Sequence, residues 1–195
     1  MTTAPLTVAV YCGSRNGVRP AYRALAQALG SEIGKRGWQL VYGGGRAGLM
    51  GAVADATLAA GGRVVGVIPE SLMNLEVGHA GLSELHVVQT MHQRKQLMAE
   101  RSHAFIALPG GIGTFEELFE AWTWRHLNYH DRPIGLLDTE GYWAPMLQFL
   151  RHSVAEGFMG DDQMAMLHSD DDAARLLDTL FAQAGDPADD NFSRI

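Results

Sequence analysis

Residues 104–117 read Ala-Phe-Ile-Ala-Leu-Pro-Gly-Gly-Ile-Gly-Thr-Phe-Glu-Glu. The apolar run 104–108 fits a strand buried on both faces, and the glycines after it open a helix. Unpaired amides and the positive end of the macrodipole make such a helix start a seat for an anion. The expected ligand is a phosphate ester held by Gly110, Gly111, Gly113 and Thr114. Two carboxylates, Glu116 and Glu117, follow within a turn, where a phosphate gains nothing from them. Glu117 therefore has two readings. Thr114 to Glu117 matches a capping box, in which the Thr side chain takes an amide and the Glu reaches back. Alternatively, its carboxylate faces a part of the ligand other than the phosphate.

Outward from this junction, strand-like runs at 6–11, 39–42, 63–68 and 133–138, with a shorter one near 85–89, alternate with helix-patterned segments. The helices are expected over 20–36, 91–101, 143–156 and 170–183. That rhythm predicts an α/β fold, a Rossmann-like doubly wound sheet, mostly parallel, with helices on both faces. Pro20 and Gly37 bracket the first helix, and Thr90 to Gln93 has the pattern of a capping box. Glycine-bearing turns at 13–17, 43–48 and 110–113 each follow a strand, so all three line one crevice at the strands' carboxyl ends.

The turn Gly43-Gly44-Gly45-Arg46-Ala47-Gly48 satisfies GxGxxG, and an acid, Glu70, follows the next strand. This is the case for an NAD-dependent dehydrogenase. It is weak, because the motif follows the second strand and the acid lies beyond the usual spacing of about 20 residues. Met91-His92-Gln93-Arg94-Lys95 places two cations at a helix start, against the macrodipole unless an anion is supplied. Arg94 is expected to meet one. Lys95 reads as a solvated face or a salt bridge to a glutamate such as Glu100.

The length of 195 residues suits one domain, 1–195, with a solvated acidic tail from Gly185. A net charge of -7 argues against a nonspecific grip on nucleic acid or an anionic membrane and for a small-molecule partner. Cys12 is the only cysteine, so no intrachain disulfide forms. It ends a buried strand and reads as a small apolar side chain. The N-terminus lacks the pattern of a signal peptide and no run suits a bilayer, which makes the cytoplasm the expected compartment. No glycine turn is followed by GK[ST], which sets aside a Walker-type ATPase. Lys35 and Lys95 are the only lysines, and Lys35 sits at a helix end where a solvated role outweighs a Schiff base. His126 and His130 alone have a metal-like i, i+4 spacing, but His130 falls at or past the helix end. Neither a metal nor a cofactor is expected.

With these motifs together, the chain resembles the LOG (Lonely Guy) family, the cytokinin riboside 5′-monophosphate phosphoribohydrolases, often mislabelled as lysine decarboxylases. The resemblance runs from about Val8 to Phe158. It is carried by VYCGS at 10–14, LVYGGGRAGLMG at 40–51, GVIPESL at 66–72, MHQRK at 91–95 and PGGIGTFEE at 109–117. TW at 123–124, HDRPIGLL at 130–137 and GY at 141–142 add to it. It implies hydrolysis of the N-glycosidic bond of a nucleoside 5′-monophosphate, N6-prenylated AMP or AMP, to free base and ribose 5-phosphate. It implies Glu117 and Arg94 as catalytic residues. Nucleotide binding would fall to Gly110, Gly111, Gly113, Thr114, Gly44, Gly45 and Ser14, and substrate binding to Glu76, Met91 and Lys95. The helix bearing Leu118, Phe119, Trp122 and Leu127 reads first as core packing, and the homodimer that the resemblance implies adds it as a candidate interface. The alternatives are a non-catalytic nucleotide carrier or sensor on the same fold and, behind it, the dehydrogenase.

Overall fold

The computed structural model describes residues 5–73, 79 and 81–184. Glu76 and the tail from Gly185 lie outside the described residues. The strands are β1 (Thr7–Tyr11), β2 (Gln39–Tyr42), β3 (Arg63–Pro69), β4 (Glu84–Val88), β5 (Ala104–Ala107), β6 (Ile134–Leu137) and β7 (Leu167–Asp170). The helices are α1 (Pro20–Lys35), α2 (Gly48–Ala59), α3 (Met91–Glu100), α4 (Ile112–His126), α5 (Ala144–Ala155), the short α6 (Asp161–Met164) and α7 (Ala173–Phe181).

The strands make one sheet in the order β4-β3-β2-β1-β5-β6-β7, and each neighbouring pair is parallel. Val8 of β1 is in register with Leu40 on one side and Ala104 on the other. Chain order runs outward in opposite directions from the β1/β5 boundary, the switch point at which open α/β sheets bind ligands.

Successive strand residues face opposite ways, and the core divides accordingly. Val8, Val10, Leu40, Tyr42, Ala104 and Ile106 turn toward α1, α2 and α7. Ala9, Tyr11, Val41, Phe105 and Ala107 turn toward α3, α4 and α5. Both faces are thus covered, which is why the central strands read as unbroken apolar runs. On α4, Leu118, Trp122 and Trp124 are buried, and Trp122 Nε1 donates to the Gln163 carbonyl at 3.1 Å.

Helix starts follow local chemistry. Pro20 occupies the first turn of α1, and α3 carries a true capping box. There Gln93 N–H donates to Thr90 Oγ1 at 3.1 Å, and Thr90 N–H donates to Gln93 Oε1 at 3.2 Å. The expected helix over 170–183 needs correction. Residues 167–170 are strand β7, paired with β6, and α7 begins only at Ala173, where Asp172 caps the Arg175 amide at 2.9 Å. Among the described residues, no helix is long and apolar enough to cross a membrane.

Candidate active site

Three loops meet above the β1/β5 boundary. Gly13 N–H donates to the Pro109 carbonyl at 3.1 Å, and Leu49 N–H donates to the Gly13 carbonyl at 3.0 Å. The loop after β1 is therefore tied to both of the other glycine turns. Between them opens a cavity of ≈ 630 Å³, within the usual range for small-molecule sites. Ser14, Arg15, Gly43, Met91, Arg94, residues 110–114, Glu117 and Tyr142 are in its wall.

The floor is the start of α4. Gly111 is its N-cap, with extended backbone (φ -105°, ψ -157°) and no side-chain cap, and the first helical bond runs from Phe115 N–H to the Gly111 carbonyl at 3.1 Å. The amides of Ile112, Gly113 and Thr114 precede that bond and have no partner within the helix. This overturns the capping-box reading of Thr114 and Glu117. The helix begins earlier than the box pattern implies, so Glu117 stands too far along α4 to reach back to the cap.

The glycines of this loop differ in purpose. A Cβ on Gly110 would lie 2.1 Å from Thr114 Oγ1 and 2.9 Å from the Gly13 amide nitrogen, so packing forbids one. At Gly111 and Gly113 a Cβ would meet no protein atom within 4 Å. The protein's own packing makes no demand for glycine there, whereas a ligand pressed against the amides would.

Arg94 and Glu117 meet above this floor. Arg94 on α3 is 5% exposed, and its Nη2 lies 3.4 Å from the Gly43 carbonyl and 3.8 Å from Glu117 Oε1. Its Nη1 lies 3.8 Å from Met91 Sδ. A Cβ on Gly43 would fall 1.9 Å from Arg94 Nη2, so the missing side chain at 43 is the space the guanidinium occupies. The anion beside Arg94 is a carboxylate from a different helix.

Lys95 is not in the cavity wall, although its partner Glu116 is. Its Nζ bonds Glu116 and lies 2.9 Å from Glu120 Oε2, both on α4. Glu100 instead accepts from Gln96 at 2.9 Å. The pairing expected within α3 is replaced by one across the α3/α4 contact, where two carboxylates one turn apart converge on the ammonium. Burial alone would lower the Lys95 pKa, but the bonds to Glu116 and Glu120 hold it above the usual value. Lys95 is therefore a charged tie between helices. Behind it, the fully buried Tyr11 phenol has its pKa pushed well up, first by burial and then by the charges of Glu117, Glu120 and Glu116. It stays neutral. Sequence reasoning missed Tyr11 and Glu120; the one available signal was Glu120 at i+4 from Glu116.

Ser14 and Met91 reach the cavity wall as expected, and so does Thr114, which is 3% exposed. Gly44 and Gly45 are not in that wall. Gly44 holds φ at 78° and its carbonyl accepts from His79 N–H at 3.1 Å, while Gly43 is the member of the turn that faces the cavity. Glu70 lies in a short 3-10 turn (Glu70–Leu72), accepts from Gln89 Nε2 at 3.4 Å and is also outside the wall, which weakens the dehydrogenase reading further. Cys12 is buried and adjoins the cavity. His130 lies beyond the end of α4, with Nε2–H donating to the Ala121 carbonyl at 3.0 Å and Nδ1 accepting from Arg132 N–H at 3.1 Å. Both ring nitrogens serve the backbone.

Residues 50–180 match the family model described as "possible lysine decarboxylase". The cytokinin riboside 5′-monophosphate phosphoribohydrolase of Rhodococcoides fascians is 52% identical over 156 residues, covering 80% of this chain and 79% of that protein. The enzyme of that name from Oryza sativa subsp. japonica is 46% identical over 87% of this chain and 70% of its own. The Arabidopsis thaliana counterpart is 44% identical over 89% and 81%. Among solved structures, the molybdenum cofactor carrier protein of Chlamydomonas reinhardtii superposes with a TM-score of 0.68 at 21% identity, covering 91% of this chain and 99% of that one. The molybdenum cofactor binding protein of Rippkaea orientalis gives 0.69 at 18%, covering 93% and 98%. Those two likenesses establish the shared fold. The matches in sequence, spanning most of the chain at close to half identity, go further: this chain belongs to the LOG family of cytokinin riboside 5′-monophosphate phosphoribohydrolases.

Proposed function

We propose that this protein hydrolyses the N-glycosidic bond of an adenosine 5′-monophosphate, plain or N6-prenylated, releasing the base and ribose 5-phosphate. One observation carries the reading: a buried Arg94–Glu117 pair stands in the same cavity as the open amides at the start of α4. From Gly113 to Glu117 the helix rises about 6 Å, at roughly 1.5 Å per residue. That is the scale of a ribose between its 5′-phosphate and its anomeric carbon. A phosphate on the amides of 111–114 thus brings C1′ toward the carboxylate.

The chemistry follows from that placement. Water attacks C1′, the C1′–N9 bond breaks with its electron pair leaving on the base, and the base is released after taking up a proton. Positive charge builds on the sugar as the bond lengthens. The Glu117 carboxylate stabilises that charge and accepts a proton from the attacking water. A guanidinium group does not give up its proton in a protein, which leaves it no general-acid role; Arg94 acts otherwise. Its role is to clamp the nucleotide and hold Glu117 in place. Ser14 and Met91 complete the nucleotide's surroundings.

The neighbouring glycine turn supplies a test of this division of labour. In Gly43→Ala the new methyl group competes only with the movable end of the Arg94 side chain, so the fold is expected to survive. Displacing the guanidinium should lower kcat/KM for AMP roughly 100-fold in a protein that still melts cooperatively. Wild-type kinetics in that variant would show that the Gly43–Arg94 contact has no part in turnover.

We further read the protein as a cytoplasmic homodimer. Exposed Phe119 on α4 and Leu127 just past its end support a second copy, and a chain with one cysteine suits a reducing compartment. The activity is tested by chromatography of the products from AMP, N6-isopentenyl-AMP, GMP and CMP. Free base and ribose 5-phosphate are expected from the adenylates. Tight nucleotide binding with no base released over long incubation would make the protein a carrier or sensor. Stabilisation by NAD where AMP gives none would point to the dehydrogenase.

A further inference from the structure

The turn after β6 is built to hold one side chain against the α4 start. Glu140 and Gly141 both adopt left-handed backbone, with φ of 57° and 67°. Trp143 behind them is fully buried, its N–H donates to Asp138 Oδ1 at 3.2 Å and its Nε1 donates to the Leu137 carbonyl at 3.3 Å. Arg19, ahead of α1, pairs with Glu140 at 2.8 Å and ties the turn to the loop after β1. The Tyr142 ring stands edge-on to Tyr22 (5.8 Å, 77°) and to Trp143 (5.0 Å, 86°). Its hydroxyl donates to the Gly110 carbonyl oxygen, and the side chain is part of the cavity wall.

That bond acts on a single peptide plane. The carbonyl of Gly110 and the N–H of Gly111 belong to one trans peptide, so they point in opposite directions. Fixing the carbonyl on the Tyr142 side fixes the Gly111 amide on the other. Glycine on both sides of that plane, with no neighbour crowding position 111, leaves rotation of the peptide sterically inexpensive. Rotation would turn a carbonyl oxygen toward the ligand where an amide is needed.

We propose that Tyr142 is a positioning residue for anion recognition: its hydroxyl anchors the Gly110 carbonyl so that the Gly111 amide is presented to the phosphate monoester of the substrate. This rests on the function proposed above, but its test needs no turnover. Tyr142→Phe keeps the ring contacts and removes only the hydroxyl. Affinities of ribose 5-phosphate, AMP and adenosine are measured by calorimetry on both proteins, alongside steady-state kinetics. The variant should bind ribose 5-phosphate and AMP roughly 10-fold more weakly, adenosine equally well, and show the loss in KM with kcat nearly unchanged. A crystal structure of the variant should show the 110–111 peptide rotated. Equal weakening toward adenosine and AMP, undiminished affinity for ribose 5-phosphate, or an unrotated peptide would each overturn the assignment. If wild type releases no base from any nucleotide while the phosphate-specific loss persists, the positioning role stands and the hydrolase reading falls.

Discussion

Replacing Glu117 with Gln is expected to lower release of adenine from AMP by about 10²–10⁴-fold while nucleotide still binds. The two side chains have the same shape, so the substitution removes charge and basicity and little else. Glu117 has only 11% of its side chain exposed, and that part faces the cavity. Arg94 Nη2 lies 3.8 Å from Glu117 Oε1, close enough to help hold the carboxylate in position. An amide at 117 cannot take a proton from water, and it offsets developing positive charge at C1′ poorly. The measurement pairs initial rates of base release with the Kd for AMP and a thermal melt. A variant that turns over at the wild-type rate would remove Glu117 from the chemistry.

Arg94→Ala should cost a comparable factor, roughly 10²–10³-fold in kcat/KM, shared between weaker binding and slower turnover. A guanidinium offers a planar fork of donors, and here its two ends reach the Gly43 carbonyl on one side and Met91 on the other while facing Glu117. Lysine restores the charge but neither the fork nor its reach, so Arg94→Lys should recover less than about tenfold of the loss. Steady-state kinetics of both variants on AMP provide the check. Full rescue by lysine would mean that only the net charge matters, and wild-type activity in Arg94→Ala would mean that the clamp lies elsewhere.

The central strands and glycine turns were legible because burial on both faces leaves β1, β2, β3 and β5 as apolar runs that end in turn residues. Pro20 and the Thr90–Gln93 box marked helix starts from a few neighbouring residues. Strand β7, Leu-His-Ser-Asp, carries no such pattern: it is short, mostly polar, at the sheet edge, and made a strand by its pairing with β6. The start of α4 was misplaced because extended backbone at Gly111 caps the helix with no side chain to announce it, while Thr114 and Glu117 mimic a box further along. The motifs brought Gly110, Gly111, Gly113, Thr114, Arg94 and Glu117 into one cavity, since all lie at the strands' carboxyl ends or on the helices beside them. What crosses between elements was not readable. Lys95 meets Glu116 and Glu120 across a helix contact, and the Tyr142 hydroxyl bonds a carbonyl 32 residues away. Neither spacing has a local signature.

The placement of the ribose between α4's first amides and Glu117 is tested most directly by a crystal structure of the Glu117→Gln protein with AMP, where slow turnover keeps the nucleotide whole. Phosphate oxygens are expected on the amides of 111–114 and the side chain at 117 beside C1′, with Arg94 in contact with the nucleotide. A phosphate seated elsewhere, or a side chain at 117 bonded only within its own helix, would contradict it.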